Sequence, residues 1–179
     1  NYGLADGLAS TEYEALNAAL APKYKKRIIS GEKLAVGWLE TRTSGEMVVY
    51  ERICRIAHEI IKEGFSEKVI QPGVTSTDDV VWWYRERIRE LKLVTWFHPT
   101  VDIQRAETGS FDFLTTFSKT DRPQNVIMAG DVLHVDFGIT YLGLNTDTQE
   151  HAYVLRKGET DVPEYLKKAL AAGNRLQDI

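Results

Sequence analysis

The stretch of residues 126–155 is the most strand-like part of the chain, and an aspartate, Asp136, lies inside its apolar run. Burial of an unpaired carboxylate is costly, so a residue in this position is expected to be paired or to bind a metal ion. A second aspartate, Asp147, follows in the same stretch. A hairpin that reverses near residues 141–142, with Gly143 free to take a positive φ, would set the two aspartates directly opposite each other. Their Cβ atoms would then lie about 4.5–5.5 Å apart.

Two facing carboxylates either share a proton or share cations. Hard divalent ions about 3.5–4 Å apart suit the second case, with one carboxylate bridging and the other chelating. The alternative is a pair of aspartates that flank a turn, one accepting hydrogen bonds from the loop and the other solvated. The residues by themselves leave both interpretations open.

Helices are predicted before and after this stretch from the spacing of capping residues, which satisfy the free N–H groups at a helix start. A serine, Ser30, is expected to cap a short helix that runs through Leu39. Four further helices are predicted from pairs of residues with capping-box spacing: Thr11 and Glu14, Thr43 and Glu46, Ser76 and Asp79, and Asp161 and Glu164.

The fold class that follows is α+β, with amphipathic helices on a curved and mostly antiparallel sheet. The strands are expected at 69–71, 100–105, 126–138 and 144–155. The chain begins without Met and its last helix reaches Ile179 without a stop signal, so we expect the natural protein to be longer.

Composition excludes some partners. The net charge is -4, with charges of both signs interspersed, so no nucleic acid is expected. No apolar run approaches the roughly 18–20 residues that cross a bilayer, so no membrane is expected. The single cysteine, Cys54, cannot form an internal disulfide and so allows oxidising and reducing compartments alike. The compartment stays unknown, although a soluble cytoplasmic protein is expected ahead of a periplasmic or secreted one.

The segment Ile127–Gln149 resembles the metal-binding hairpin of the metallopeptidases with the pita-bread fold, the group of methionine aminopeptidase, aminopeptidase P, prolidase and creatinase. The matching residues are Gly130-Asp131, Asp136-Phe137-Gly138 and Thr146-Asp147-Thr148. Upstream, Arg42-Thr43 to Glu46 and Ile70–Thr75 are similar to two further elements of these enzymes. The resemblance covers roughly Glu40 to Leu155, and it is greater to the Xaa-Pro peptidases than to the methionine-specific enzymes.

The resemblance implies a dinuclear site in which Asp136 chelates one metal ion and Asp147 bridges two, the ions being Mn, Co, Zn or Fe. The family's other ligands, one His and two Glu, belong to the second half of the fold. Glu150 and His151 match them in neither spacing nor neighbours. The chain would therefore hold two of five ligands, so the ions are expected in the complete enzyme and need not be bound by this chain alone.

The family also places a substrate-contacting histidine upstream of its first aspartate, where this chain has Phe117–Thr120 and no histidine. His98 is the candidate catalytic residue if 105–125 is an inserted loop, and otherwise it packs beside Pro99. His134 should share a strand face with Asp136, since side chains alternate along a strand, and a structural role is favoured for it.

The resemblance therefore implies half of a pita-bread fold, with residues 1–41 as a helical segment from an upstream domain and 42–179 as the first half of the catalytic domain. The implied function is that of a fragment, itself inactive or nearly so, of a metal-dependent peptidase cleaving N-terminal Xaa-Pro bonds. The expected partners are a peptide substrate and a second copy in a homodimer, because half of such a sheet leaves an apolar face and strand edges exposed. The alternatives are a non-catalytic binding module of the same fold and a creatinase-like C–N hydrolase.

Overall fold

The structure is a computed structural model that describes residues 7–105 and 125–177. The chain divides into two compact units, Asn1–Met47 and Val48–Ile179. The first unit contains the helices α1 (Ser10–Ala19), α2 (Pro22–Lys25) and α3 (Glu32–Glu40), and the start of α4 (Ser44–Gly64). The predicted division at residue 41 stays a prediction. Every helix within the described residues is too short or too polar to cross a membrane.

Helix α4 begins where its capping residues predict. The backbone N–H of Thr43 donates to Glu46 Oε2 at 2.7 Å, and the N–H of Glu46 donates to Thr43 Oγ1 at 3.2 Å. Two N–H groups that the helix cannot satisfy are thereby bonded. The helix ends at Gly64, where a Cβ atom would lie 2.3 Å from the ring of Tyr84. Helix α4 can therefore approach the helix that carries Tyr84 closely only with glycine there.

Helix α5 (Thr77–Glu90) is capped in the same way. Ser76 Oγ accepts from the N–H of Asp79 at 3.1 Å, and Asp79 Oδ2 accepts from the N–H of Ser76 at 2.8 Å. The hydrogen bonds that the carboxylate of Asp79 accepts from the N–H and the hydroxyl of Ser76 lower the pKa of Asp79, because they stabilise its charged form. The prediction of this helix start from sequence is confirmed.

Two other predicted helix starts are wrong. In α1 the N–H of Ala9 donates to Glu12 Oε2 at 2.8 Å, so the helix begins ahead of the predicted cap residue, Thr11. The last helix, α6 (Glu164–Gln177), makes its first backbone bond to the carbonyl of Pro163. A proline with its fixed φ suits a helix start. Because the helix begins next to Pro163, Asp161 lies two residues before the cap position and does not act as the cap.

The sheet of the second unit has three antiparallel strands in the order β1-β2-β5, and a two-stranded ribbon of β3 and β4 projects from it. The strands are β1 (Thr100–Gln104), β2 (Val132–Phe137), β3 (Thr140–Tyr141), β4 (Leu144–Asn145) and β5 (Thr148–Tyr153). The α+β architecture expected from the sequence is confirmed.

One face of the sheet is apolar and packs with α4 and α5 into one buried cluster. Leu133, Val135 and Phe137 of β2 are completely buried there. Full burial of a side chain of this size stabilises the fold by about 1.5–3 kcal/mol relative to exposure. The other face, here called the polar face, presents Thr100, Asp102, Gln104, His134, Asp136, Gln149 and His151.

Two predicted strand segments are not strands. Residues 67–69 form a turn, in which the N–H groups of Val69 and Ile70 both donate to the carbonyl of Ser66, and residues 70–71 follow without regular structure. Val126 makes only an isolated bridge, and the segment 128–131 turns because the carboxylate of Asp131 accepts from the N–H of Met128 at 2.7 Å. A local hydrogen bond of this kind competes with strand pairing, so β2 begins at Val132.

Candidate metal centre

The register of the hairpin corrects the predicted pairing of the two aspartates. The turn residues are Leu142 and Gly143, with φ values of 51° and 75°. Two consecutive positive φ values give the type of two-residue turn whose twist matches its flanking strands. The Cα partner of Asp136 is therefore Gln149, and the prediction that Asp147 lies directly opposite Asp136 is wrong by two positions.

The two aspartates nevertheless interact. Asp147 precedes Gln149 by two residues and lies in the gap between β4 and β5, so it is offset diagonally from Asp136. Burial raises the pKa of the Asp136 carboxyl, and the negative charge of Asp147 raises it further. The two carboxylates thus interact electrostatically across a diagonal, and the short spacing expected from direct pairing stays a prediction.

Asp136 lacks a partner that its position demands. Its Oδ1 atom is buried, and none of the described residues donates a hydrogen bond to it. Among the described residues, His134 and a hydrogen bond from the backbone of Phe137 lower the pKa of Asp136, whereas the charges of Asp147 and Asp102 raise it. A buried carboxylate oxygen without a donor, next to further negative charge, is an arrangement that a cation would stabilise.

The backbone next to Asp147 is held by its neighbour Thr146, which is 1% exposed. The hydroxyl of Thr146 accepts from the N–H of Ile139 at 3.0 Å, and the N–H of Thr146 donates to the carbonyl of Ile139 at 2.9 Å. The indole Nε1 of Trp96 donates to the carbonyl of Thr146 at 2.8 Å. Three hydrogen bonds therefore fix the peptide that carries Asp147.

Gly138 allows this close packing. A Cβ atom at this position would lie 2.3 Å from the ring of Phe97, 2.5 Å from the carbonyl oxygen of Thr146 and 2.6 Å from Nε1 of Trp96. The glycine of the Asp-Phe-Gly motif is thus required by space. Trp96 and Thr146 were not among the candidates from sequence. For Trp96 the sequence offers no local signal, because it lies 50 residues away from its partner.

His98, the candidate catalytic residue, is exposed in the loop that leads into β1. It lies two residues before Thr100, the Cα partner of Asp136. Within the described part of the chain, it is not one of the charges that shift the pKa of Asp136. A role for His98 in contacting substrate stays a prediction, and most of the inserted loop on which it depended lies outside the described residues.

A row of polar side chains crosses the polar face beside Asp136. Asp102, His134 and His151 are Cα partners on β1, β2 and β5. His134 Nε2 lies 3.0 Å from Gln149 Oε1, and the rings of the two histidines lie 5.0 Å apart. Burial lowers the pKa of His151, and the nearby His134 lowers it further.

In residues 7–105 and 125–177, no group of three or more His, Cys, Asp or Glu side chains converges closely enough to hold a metal ion. The described residues therefore supply a pair of carboxylates and no complete set of ligands.

The fold has a counterpart among solved structures. The chain is similar to an X-Pro aminopeptidase from Thermotoga maritima MSB8, with a TM-score of 0.54 and 14% sequence identity. The similarity covers 90% of this chain and 41% of the aminopeptidase chain. The predicted half of a pita-bread fold is confirmed at this level. The sequence matches no family model and no curated protein.

Proposed function

We propose that Asp136 and Asp147 hold divalent metal ions, and that the chain is part of a peptidase that cleaves N-terminal Xaa-Pro bonds. The observation that carries this proposal is the buried Oδ1 of Asp136, which lacks a donor among the described residues and lies beside the charge of Asp147. The structural similarity to an X-Pro aminopeptidase supports the reaction class.

The donor set fits the proposed ions. Two carboxylates offer oxygen atoms only, which hard divalent cations such as Mn²⁺ prefer; Co²⁺, Zn²⁺ and Fe²⁺ also accept carboxylates. The strand position of Asp136 and the three hydrogen bonds at Thr146 restrict the backbone that carries both carboxylates before any ligand arrives. Restricting the ligands in this way lowers the entropic cost of binding.

When bound, such ions supply Lewis acidity toward a carbonyl oxygen and activate water at neutral pH. The contribution of this chain is to orient the carboxylates and to line one side of the substrate path with its polar face. A group that moves the proton, and the remaining ligands implied by the family resemblance, would come from outside the matched part of the fold.

A non-catalytic peptide-binding module is the second candidate. The observation that favours it is that only two carboxylates, rather than three or more ligands, meet at the site within the part of the chain that the structure describes. In such a module peptide would bind to the polar face without a metal ion.

Metal binding tests the site directly. Mn²⁺ would be titrated into the wild type, Asp136→Asn and Asp147→Asn and followed by calorimetry. Each variant is expected to lose roughly tenfold or more in affinity, because one of two carboxylates is removed. Asp78→Asn serves as the control, since Asp78 is exposed at the start of α5 and accepts a bond from Asn125. Equal Mn²⁺ affinity in all four proteins would refute the site.

The two candidate functions are distinguished by how peptide binding depends on metal. An Xaa-Pro peptide and its Xaa-Ala analogue would be titrated into the chain with and without Mn²⁺. Tighter binding of the Xaa-Pro peptide that requires Mn²⁺ and is lost in Asp136→Asn supports the peptidase. Binding that is the same with and without Mn²⁺ supports the module. Cleavage itself is expected to be very weak or absent.

A further inference from the structure

A second pair of side chains of the kind that binds metal ions lies on the polar face, next to the pair of Asp136 and Gln149. His134 and His151 are directly paired across β2 and β5, with ring centroids 5.0 Å apart and planes inclined at 44°. Two imidazoles that bind one tetrahedral ion, with metal–nitrogen distances of about 2.0–2.1 Å, also have ring centroids about 5 Å apart. The spacing of the two rings therefore already suits a shared ion.

The orientation of His134 supports the same site. Its Nε2 atom lies 3.0 Å from Gln149 Oε1, so this nitrogen is directed toward β5, the strand that carries His151. An amide oxygen can also act as a metal ligand. An imidazole nitrogen and an amide oxygen thus meet between β2 and β5, and the ring of His151 lies beside that imidazole.

Asp102 lies on the other side of His134. Its Oδ2 atom is 3.8 Å from Nδ1 of the histidine. Histidines that bind metal ions commonly donate their other ring N–H to a carboxylate, which fixes the orientation of the ring. The side chain of His134 is 24% exposed and His151 is exposed, so an ion can reach both from solvent.

We propose that His134 and His151 bind one divalent ion of the borderline class, Zn²⁺, Ni²⁺ or Cu²⁺, with Gln149 Oε1 as an adjoining donor and Asp102 as the positioning residue. Imidazole nitrogen favours these ions, whereas the carboxylates of Asp136 favour harder ones. The proposal is independent of the proposed peptidase function, because it uses different ligands and a different class of ion.

The chain provides its own controls, because it has four histidines. Zn²⁺ and Ni²⁺ would be titrated into the untagged protein and into His134→Gln, His151→Gln, His58→Gln and His98→Gln. The first two variants are expected to lose roughly tenfold or more in affinity, and the last two to bind as the wild type does. Circular dichroism would check that every variant is folded.

Copper reports the ligands directly. The electron paramagnetic resonance spectrum of bound Cu²⁺ is expected to show coupling to two nitrogens in the wild type and to one in His134→Gln or His151→Gln. Asp136→Asn should leave the spectrum unchanged, which separates this site from the carboxylate pair. Asp102→Ala should weaken Cu²⁺ binding roughly tenfold, and Asp102→Glu should restore it. Unaltered affinity and spectra in both histidine variants would overturn the proposal.

Discussion

Replacing Gly138 with alanine tests the packing that holds Asp147. The added Cβ atom would lie 2.3 Å from the ring of Phe97 and 2.5 Å from the carbonyl oxygen of Thr146. Ordinary van der Waals contacts of a Cβ atom begin at 3.4 Å, so the ring of Phe97 would have to move by about 1.1 Å. One of these neighbours is a backbone oxygen, which cannot move without disturbing the hairpin.

The expected cost has two parts. Overpacking of a well-packed site costs about 1–3 kcal/mol. Displacement of the Trp96 indole from the carbonyl of Thr146 removes a hydrogen bond, which contributes about 0.5–1.5 kcal/mol. Gly138→Ala is therefore expected to lower the free energy of unfolding by about 2–4 kcal/mol, which corresponds to roughly 4–16 °C in melting temperature for a chain of this length.

Urea unfolding followed by tryptophan fluorescence and far-ultraviolet circular dichroism would measure this change. The matched control is Gly173→Ala, because a Cβ atom there meets no atom within 4 Å and the residue lies inside α6. Alanine is the better helix former, so this control is expected to gain up to about 1 kcal/mol. A decrease of less than about 0.5 kcal/mol in the free energy of unfolding of Gly138→Ala would refute the close packing around Gly138.

Three further outcomes are expected. Burial and a neighbouring carboxylate raise the pKa of Asp136. The contribution of Asp136 to the free energy of unfolding is therefore fully present at a pH below the ordinary aspartate pKa, and it is lost as the pH rises through the raised pKa. Metal-free Asp136→Asn should lose less stability than the wild type when unfolding is measured from about pH 4 to pH 7, and parallel pH profiles would contradict this. Asp131→Ala should lower the free energy of unfolding in urea by about 3 kcal/mol, because it removes the buried carboxylate to which Nε of Arg105 donates a hydrogen bond at 2.7 Å. Tyr84→Phe should cost about 1 kcal/mol, since the buried hydroxyl loses its bond to a backbone carbonyl of α4.

Local hydrogen bonding made some helix starts predictable. At Thr43 and at Ser76 the capping serine or threonine and its acidic partner lie three residues apart and exchange the expected hydrogen bonds. At Thr11 the same spacing predicted the wrong helix start, because the carboxylate of Glu12 accepts a hydrogen bond from the N–H of Ala9 and the helix begins there. Capping spacing thus identifies that a helix begins, and neighbouring acceptors decide at which residue.

The alternation of side chains in β2 was also predictable. His134 and Asp136 share the polar face, as the two-residue period requires, and Val135 is completely buried on the opposite face. The position of Asp136 in an apolar strand likewise predicted from sequence that its carboxylate needs a partner, and its buried Oδ1 atom has none among the described residues. The role of Asp136 in binding a metal ion stays a prediction.

What the sequence by itself determined is therefore local: the α+β character, which strand face is polar, and the presence of two aspartates on one hairpin. Only the tertiary structure decided their diagonal relation, because the turn geometry at Leu142 and Gly143 sets the register of every residue after it. The structure likewise brought Trp96 to the backbone beside Asp147 and placed Asp102 next to His134. These contacts join residues far apart in the chain, and their formation depends on strand pairing that no short segment specifies.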